Sequence, residues 1–153
     1  MEGVVSVNYR LSSLCDALVL LRLMRSLQDD DPWSVPFEED RVLRDIRALI
    51  ENPHYGQVWL ICEGDDAVGY LLLCFDYSLE YGGKGAWIDE VFVAKAHRGQ
   101  GLGADALRFA EDAARKSGAH VLHLEVNRGN PAIDLYRRHG FQDHDRYLLS
   151  KPL

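Results

Sequence analysis

The sequence predicts an α/β domain of the α+β kind with element order βααβββαβαβ, and three observations predict it. Short apolar runs of strand period alternate with longer runs in which apolar residues recur at helical spacing. A glycine-rich segment, Arg98-Gly99-Gln100-Gly101-Leu102-Gly103, sits between a strand-like run (Ile88 to Ala94) and an amphipathic helical run (Ala104 to Lys116). No linker, repeat or low-complexity tract breaks the 153 residues, so positions 1–153 read as one domain, long enough to bury a core.

Taken in order, Val4 to Arg10 reads as a short strand. Ser12 or Ser13 can cap a helix that carries Leu14, Leu18, Leu21 and Met24 on one side. The loop Asp29-Asp30-Asp31-Pro32-Trp33-Ser34-Val35-Pro36 follows. A second helix from Phe37 to Glu51 aligns Val42, Leu43, Ile46, Leu49 and Ile50 in one stripe, and Asn52-Pro53 ends it because proline pushes its predecessor out of helical backbone. Gln57 to Glu63 and Ala67 to Asp76 form a hairpin around Gly64-Asp65-Asp66. Tyr81-Gly82-Gly83-Lys84-Gly85 turns the chain into the strand that ends at Ala94. After the glycine loop come a helix, a strand from Val121 to Val126, a helix, and a last strand from Phe141 to Leu149.

Composition narrows the function. Apolar residues make up 47% and charged residues 27%, as in ordinary globular proteins. No run approaches the ~18 apolar residues of a membrane span, and Met1-Glu2-Gly3 lacks a basic signal-peptide start, so no membrane partner and a cytoplasmic location are expected. Cys15, Cys62 and Cys74 show no Cys-x-x-Cys spacing and are expected as buried free thiols. A net charge of −7 argues against a nucleic-acid partner, which needs a basic face, and favours cationic partners. The histidines follow no metal-site spacing, so no metal is expected.

The glycine loop points to a phosphate-bearing ligand. Glycines without Cβ let an anion reach the main chain, the following helix adds free N–H donors and its positive dipole end, and Arg98 adds a forked cation. Gly99-x-Gly101-x-x-Ala104 also fits a dinucleotide fingerprint, with Glu125 near the place of a ribose-binding acid. Against that stand Lys95-Ala96-His97-Arg98, which separate the strand from the first glycine, and the mere 50 residues after Gly103. A nucleotide P-loop would need Lys-Ser or Lys-Thr after the glycines, and neither is present.

More of the chain is accounted for by a third pattern. Val91-Phe92-Val93, Arg98-x-x-Gly101-x-Gly103, the strand at Val121 to Val126, Asn130, Leu135-Tyr136 and Gly140-Phe141 follow one another in order. Together they resemble the acetyl-coenzyme A-binding half of the GCN5-related N-acetyltransferases (GNAT). That resemblance implies a mixed, mostly antiparallel sheet with helices on both faces, and a transferase (acyltransferase) with acetyl-CoA as acetyl donor. It implies that the pyrophosphate lies on the N–H groups of Gln100, Gly101, Leu102, Gly103 and Ala104, with Gly99 and Arg98 alongside. The pantetheine arm would pair with the strand Val91, Phe92 and Val93, chiefly the backbone of Phe92 and Val93. Asn130 is implied as a further contact; it equally suits a helix cap before Pro131. In many members the Asn precedes the Tyr by one residue more, which leaves Asn127 as a substitute, and Lys95 stands where many have Pro.

The resemblance also implies chemistry. The Tyr136 hydroxyl would protonate the leaving thiolate, and the Val93 N–H would stabilise the oxyanion. Asp89 and Glu90 flank the amine's entry, and strand alternation should aim only one of them at the site: Asp89 shares a face with Val91 and Val93, Glu90 with Ile88 and Phe92. Glu125 is a third candidate base. The acceptor would lie against Asp29, Asp30, Asp31 and Trp33, with Glu80 and Tyr81, where carboxylates and aromatic faces suit a cationic amine such as a polyamine. A protein amino group is the alternative acceptor, and a non-catalytic acetyl-CoA sensor the alternative function. Family members often form homodimers, with the last strand as a place for pairing.

Overall fold

A computed structural model describes residues 6–153. The elements are β1 (Val7–Leu11), a 3-10 turn at Leu14–Asp16, α1 (Ala17–Asp30), α2 (Glu39–Glu51), β2 (Gly56–Glu63), β3 (Asp66–Ser78), β4 (Gly83–Val93), a 3-10 turn at Lys95–His97, α3 (Leu102–Lys116), β5 (Val121–Leu124) and α4 (Ile133–Arg138). Val4 and Val5 of the expected first strand lie outside the described residues. The sheet order is β1-β2-β3-β4-β5, antiparallel up to β4 and parallel between β4 and β5. This is the α+β arrangement that the resemblance implies, a mixed, mostly antiparallel sheet with helices on both faces.

Strand alternation divides the core into layers. Val58, Leu60, Cys62, Tyr70, Leu72 and Phe92 face α1 and α2, where Leu20, Leu23, Met24, Val42 and Ile46 cover them. Trp59, Leu71, Leu73, Ala86 and Ile88 face α3, which presents Leu107, Ala110, Ala113 and Ala114. Each helix thus carries its apolar stripe toward one side of the sheet, the usual solution for burying both faces.

One expected element differs. Residues 141–153 form no strand, and β5 is the sheet edge among the described residues. Phe141 does pack into the α3 layer, but the polar run Gln142 to Arg146 follows it, and Asp143 is drawn back to α4 by Arg137 at 2.5 Å. Tyr147, Leu148 and Leu149 are adjacent rather than alternating, and all three are exposed. Cys15 is also exposed, whereas Cys62 is buried and Cys74 half-buried.

Candidate active site

The site is organised by a β-bulge. Leu72 pairs with Glu90 and Leu73 with Ile88, so Asp89 is an extra residue in β4. A bulge interrupts the two-residue repeat, which corrects the expected alternation. Ile88 faces α3, whereas Glu90 and Phe92 face α1 and α2, and Val91 packs with the α3 layer. Asp89 is not aligned with Val91 and Val93; it lines one cavity together with Glu90.

That cavity has a volume of about 140 Å³. Met24, Val42, Ile46, Leu49 and Leu72 line it with apolar groups, and Trp33, Asp45, Asp89 and Glu90 add polar ones. The Glu90 carboxylate is held at both oxygens: Trp33 Nε1 donates to Oε1 at 2.6 Å and the Tyr70 hydroxyl to Oε2 at 2.7 Å. Burial pushes the Glu90 pKa above the ordinary glutamate value, the bonds from Tyr70 and Trp33 pull against it, and Asp89 and Asp31 push the same way as burial. Partial burial likewise raises Asp89, which keeps solvent contact. Tyr70 is fully buried, and burial beside Glu90 lifts its pKa far above the phenol range, so it acts as a fixed donor.

The glycine loop has the backbone its sequence demands. Gly99 and Gly101 adopt φ of 77° and 79°, left-handed conformations that side chains disfavour, and a Cβ at either would meet only open space. Gly101 is the N-cap of α3, whose first helical bond runs from Asp105 N to Gly101 O. The N–H groups of Leu102, Gly103 and Ala104 therefore precede the helical ladder, as an anion cradle requires. Arg98 is anchored here, donating from Nε to Val93 O at 2.7 Å and from a terminal nitrogen to Asp30 at 2.5 Å.

Next to this loop β4 has an open edge. β5 pairs with it only from Gly85 to Ile88, so Asp89 to Val93 have no strand on that side. Ala94 N–H bonds to Val68 O, and the alternation of an antiparallel ladder then turns the peptide groups of Val93 and Val91 outward. Those of Phe92 turn toward Tyr70 in β3, so the outward pair is Val91 and Val93 rather than the expected Phe92 and Val93.

α4 packs beside the start of α3, where Leu135 approaches Gly103. Tyr136 is half-buried against Phe141, and burial, with Asp31 adding to it, raises its pKa. Asp31 thus sits within electrostatic reach of both Tyr136 and Glu90, and accepts a bond from Asn127 Nδ2 at 3.1 Å. Asn130 Oδ1 accepts from Ala132 N at 2.9 Å, a side-chain turn two residues long that leads into α4, whose N-cap is Ala132 rather than the expected Asn130.

The residues singled out in the sequence fall into three groups. Trp33, Asp89 and Glu90 meet at the cavity, Asp31 acts electrostatically on both Glu90 and Tyr136, and Tyr136 itself packs in the α3 layer. Asp30 turns away from it to Arg98 and Lys95, the latter at 3.2 Å, and this pairing lowers its pKa. Tyr81 packs on His123 in a separate aromatic cluster, and Glu125 is exposed just beyond β5. Sequence reasoning missed Tyr70, whose apolar neighbours mark it only as core. Among the described residues no group of three or more His, Cys, Asp or Glu could hold a metal ion, and no helix is long and apolar enough to cross a membrane.

Known proteins share the family and the fold. The model of the acetyltransferase (GNAT) family matches residues 20–141. Over 136 residues the chain is 31% identical to thialysine N-epsilon-acetyltransferase of Bos taurus, spanning 81% of this chain and 77% of that protein. A stretch of 55 residues is 51% identical to streptothricin acetyltransferase of Streptomyces lavendulae, which is 35% of this chain and only 29% of that protein's length. Among solved structures, an integron cassette protein from the mobile metagenome of Cole Harbour Salt Marsh superposes with a TM-score of 0.81 at 34% identity, covering 95% of this chain and 90% of that one.

Proposed function

Because the chain belongs to the acetyltransferase (GNAT) family, whose members are acetyl-CoA-dependent N-acetyltransferases, we propose that it acetylates the primary amine of a small cationic acceptor such as a polyamine. The observation that carries the acceptor class is the doubly held Glu90 carboxylate, with Asp89 beside it, in a cavity walled by Trp33. Relatives named for thialysine and streptothricin, both amines, support the same class.

Acetyl-CoA supplies an activated thioester. The N–H groups of Gln100 to Ala104 bind its pyrophosphate, and the loop fits that role because its positive-φ glycines leave the surface bare. Arg98 joins them, exchanging part of its bond to Asp30 for phosphate. The Val93 N–H, whose carbonyl Arg98 already occupies, aligns the pantetheine amides beside the pyrophosphate loop, and the outward Val91 N–H, nearer Glu90 along β4 than the expected Val93, donates to the thioester carbonyl oxygen as charge develops there.

Asp89 attracts the ammonium group, and Glu90 accepts its proton through water. A carboxylate with a raised pKa is the better base near neutrality, and the bonds from Trp33 and Tyr70 keep it ionised and aimed. Tyr136 holds its proton throughout this range and delivers it to the leaving sulfur from α4. Calorimetric titration with acetyl-CoA beside NADH, followed by an amine panel, tests the reading. Binding of acetyl-CoA alone and acetylation of polyamines are expected; binding of NADH alone would overturn it.

A further inference from the structure

Beyond the cavity, the sheet face toward α1 and α2 continues as a strip that neither helix buries. Cys74, Trp87 and His123 are half-buried there and Asp76 is exposed. Trp87 and His123 are cross-strand partners on β4 and β5 with rings 4.6 Å apart, and Tyr81 closes on His123 edge-to-face at 5.3 Å. Trp87 Nε1 donates to Asp76 Oδ2 at 3.0 Å, which fixes the carboxylate beside the indole. The strip adjoins the cavity, because Cys74 pairs with Trp87 and also feels the charges of Asp89 and Glu90, which help burial push its thiol up to about 11.

Asp76 is arranged to present charge. A Cβ on Gly85 would lie 2.1 Å from its Oδ1, so the absence of a side chain at 85 is what lets the carboxylate lie over β4. Neighbouring cations are engaged elsewhere. Lys84 points to the opposite face, where it bonds Ser117 O and covers the Phe75 ring at 3.8 Å, and Arg146 pairs with Glu80 at 3.6 Å. Among the described residues no cationic side chain pairs with Asp76.

We propose that Asp76, Trp87, His123 and Tyr81 form a second cation subsite, which takes the far ammonium of a linear diamine or polyamine whose reacting amine lies at Glu90. The subsite rests on the acetyl-transfer reading above and adds a length requirement to it. Leu72 lies opposite Glu90 and Asp76 opposite Gly85, four residues along β3. At a rise of about 3.3 Å per residue the two stations are about 13 Å apart, a span that favours a polyamine or long diamine over a short one. Aromatic faces and a carboxylate together bind an ammonium by cation–π contact and ion pairing.

The test measures acetyl-CoA-dependent initial rates for linear α,ω-diamines of increasing length and for monoamines of matching length. Wild type and Asp76→Asn are compared, Asn keeping an acceptor for the Trp87 N–H. In wild type, kcat/KM rises with diamine length and exceeds that of the matching monoamine by about tenfold. Asp76→Asn removes most of that advantage through KM and leaves the monoamines within about twofold. Long diamines no better than monoamines, or a variant that slows both classes alike, would overturn the subsite while leaving acetyl transfer intact. Wild type inactive on both classes would overturn the acetyl-transfer reading together with it.

Discussion

Removing the Tyr70 hydroxyl tests the electrostatics of the cavity most directly. Tyr70 is fully buried and its hydroxyl donates to Glu90 Oε2 at 2.7 Å, so Tyr70→Phe deletes one bond and little packing. A hydrogen bond to a charged group contributes about 1.5–3 kcal/mol and one between neutral groups about 0.5–1.5. The difference, about 1–1.5 kcal/mol, is how much more the variant loses when Glu90 is ionised than when it is protonated. At 1.36 kcal/mol per unit this lifts the Glu90 pKa by about one further unit. The sign follows from linkage. Glu90 already titrates above the ordinary value of 4.5 in the folded protein, so the folded state binds its proton more tightly. The contribution of Glu90 to stability is therefore greatest below 4.5 and declines as pH rises through its folded pKa. Tyr70→Phe extends that decline upward. Urea denaturation of both proteins from pH 4 to 8 should show a stability gap that widens by about 1 kcal/mol across the range, and the acidic limb of kcat/KM should move up by about one unit. A gap independent of pH, with an unmoved limb, would refute the idea that Tyr70 holds Glu90 in its ionised form.

Other consequences are testable in the same preparation. Tyr136→Phe should lower kcat about 10²-fold while calorimetric affinity for acetyl-CoA stays unchanged; a sensor module would have no turnover to lose. Gly101→Ala places a side chain at φ 79° in otherwise open space, so it should cost about 1–2 kcal/mol in urea denaturation and weaken acetyl-CoA binding through the backbone alone.

The glycine loop was legible because its requirement is written in residue identity: only glycine sits easily at the positive φ of Gly99 and Gly101. The helices were equally plain, since their apolar stripes must repeat with the helical turn. The acids were harder. Alternation presumes an unbroken strand, and nothing in Ile88-Asp89-Glu90-Val91 announces a bulge. Asp30 looked like one of three loop aspartates, yet its partner Arg98 lies 68 positions away, a distance no local pattern can express. Trp33 and Glu90 are likewise joined across 57 positions, and only the packing of α1 on the sheet brings them together. The final strand failed for the opposite reason: beyond Phe141 the polar run Gln142 to Arg146 buries nothing, and Tyr147, Leu148 and Leu149 stay exposed.

Asp89 is surplus to the sheet. The pairings on either side of it, Leu73 with Ile88 and Leu72 with Glu90, run on as though the residue were missing, and the apolar faces would stay in phase without it. Its insertion coincides with the last β4–β5 pair, Ile88 with Leu124. The same supernumerary residue therefore lies where the two strands part and doubles the negative charge at the point of parting. In this domain the opening between strands and the acid beside it are a single local event in the chain, so neither can be altered by changing the length of β4 there without altering the other.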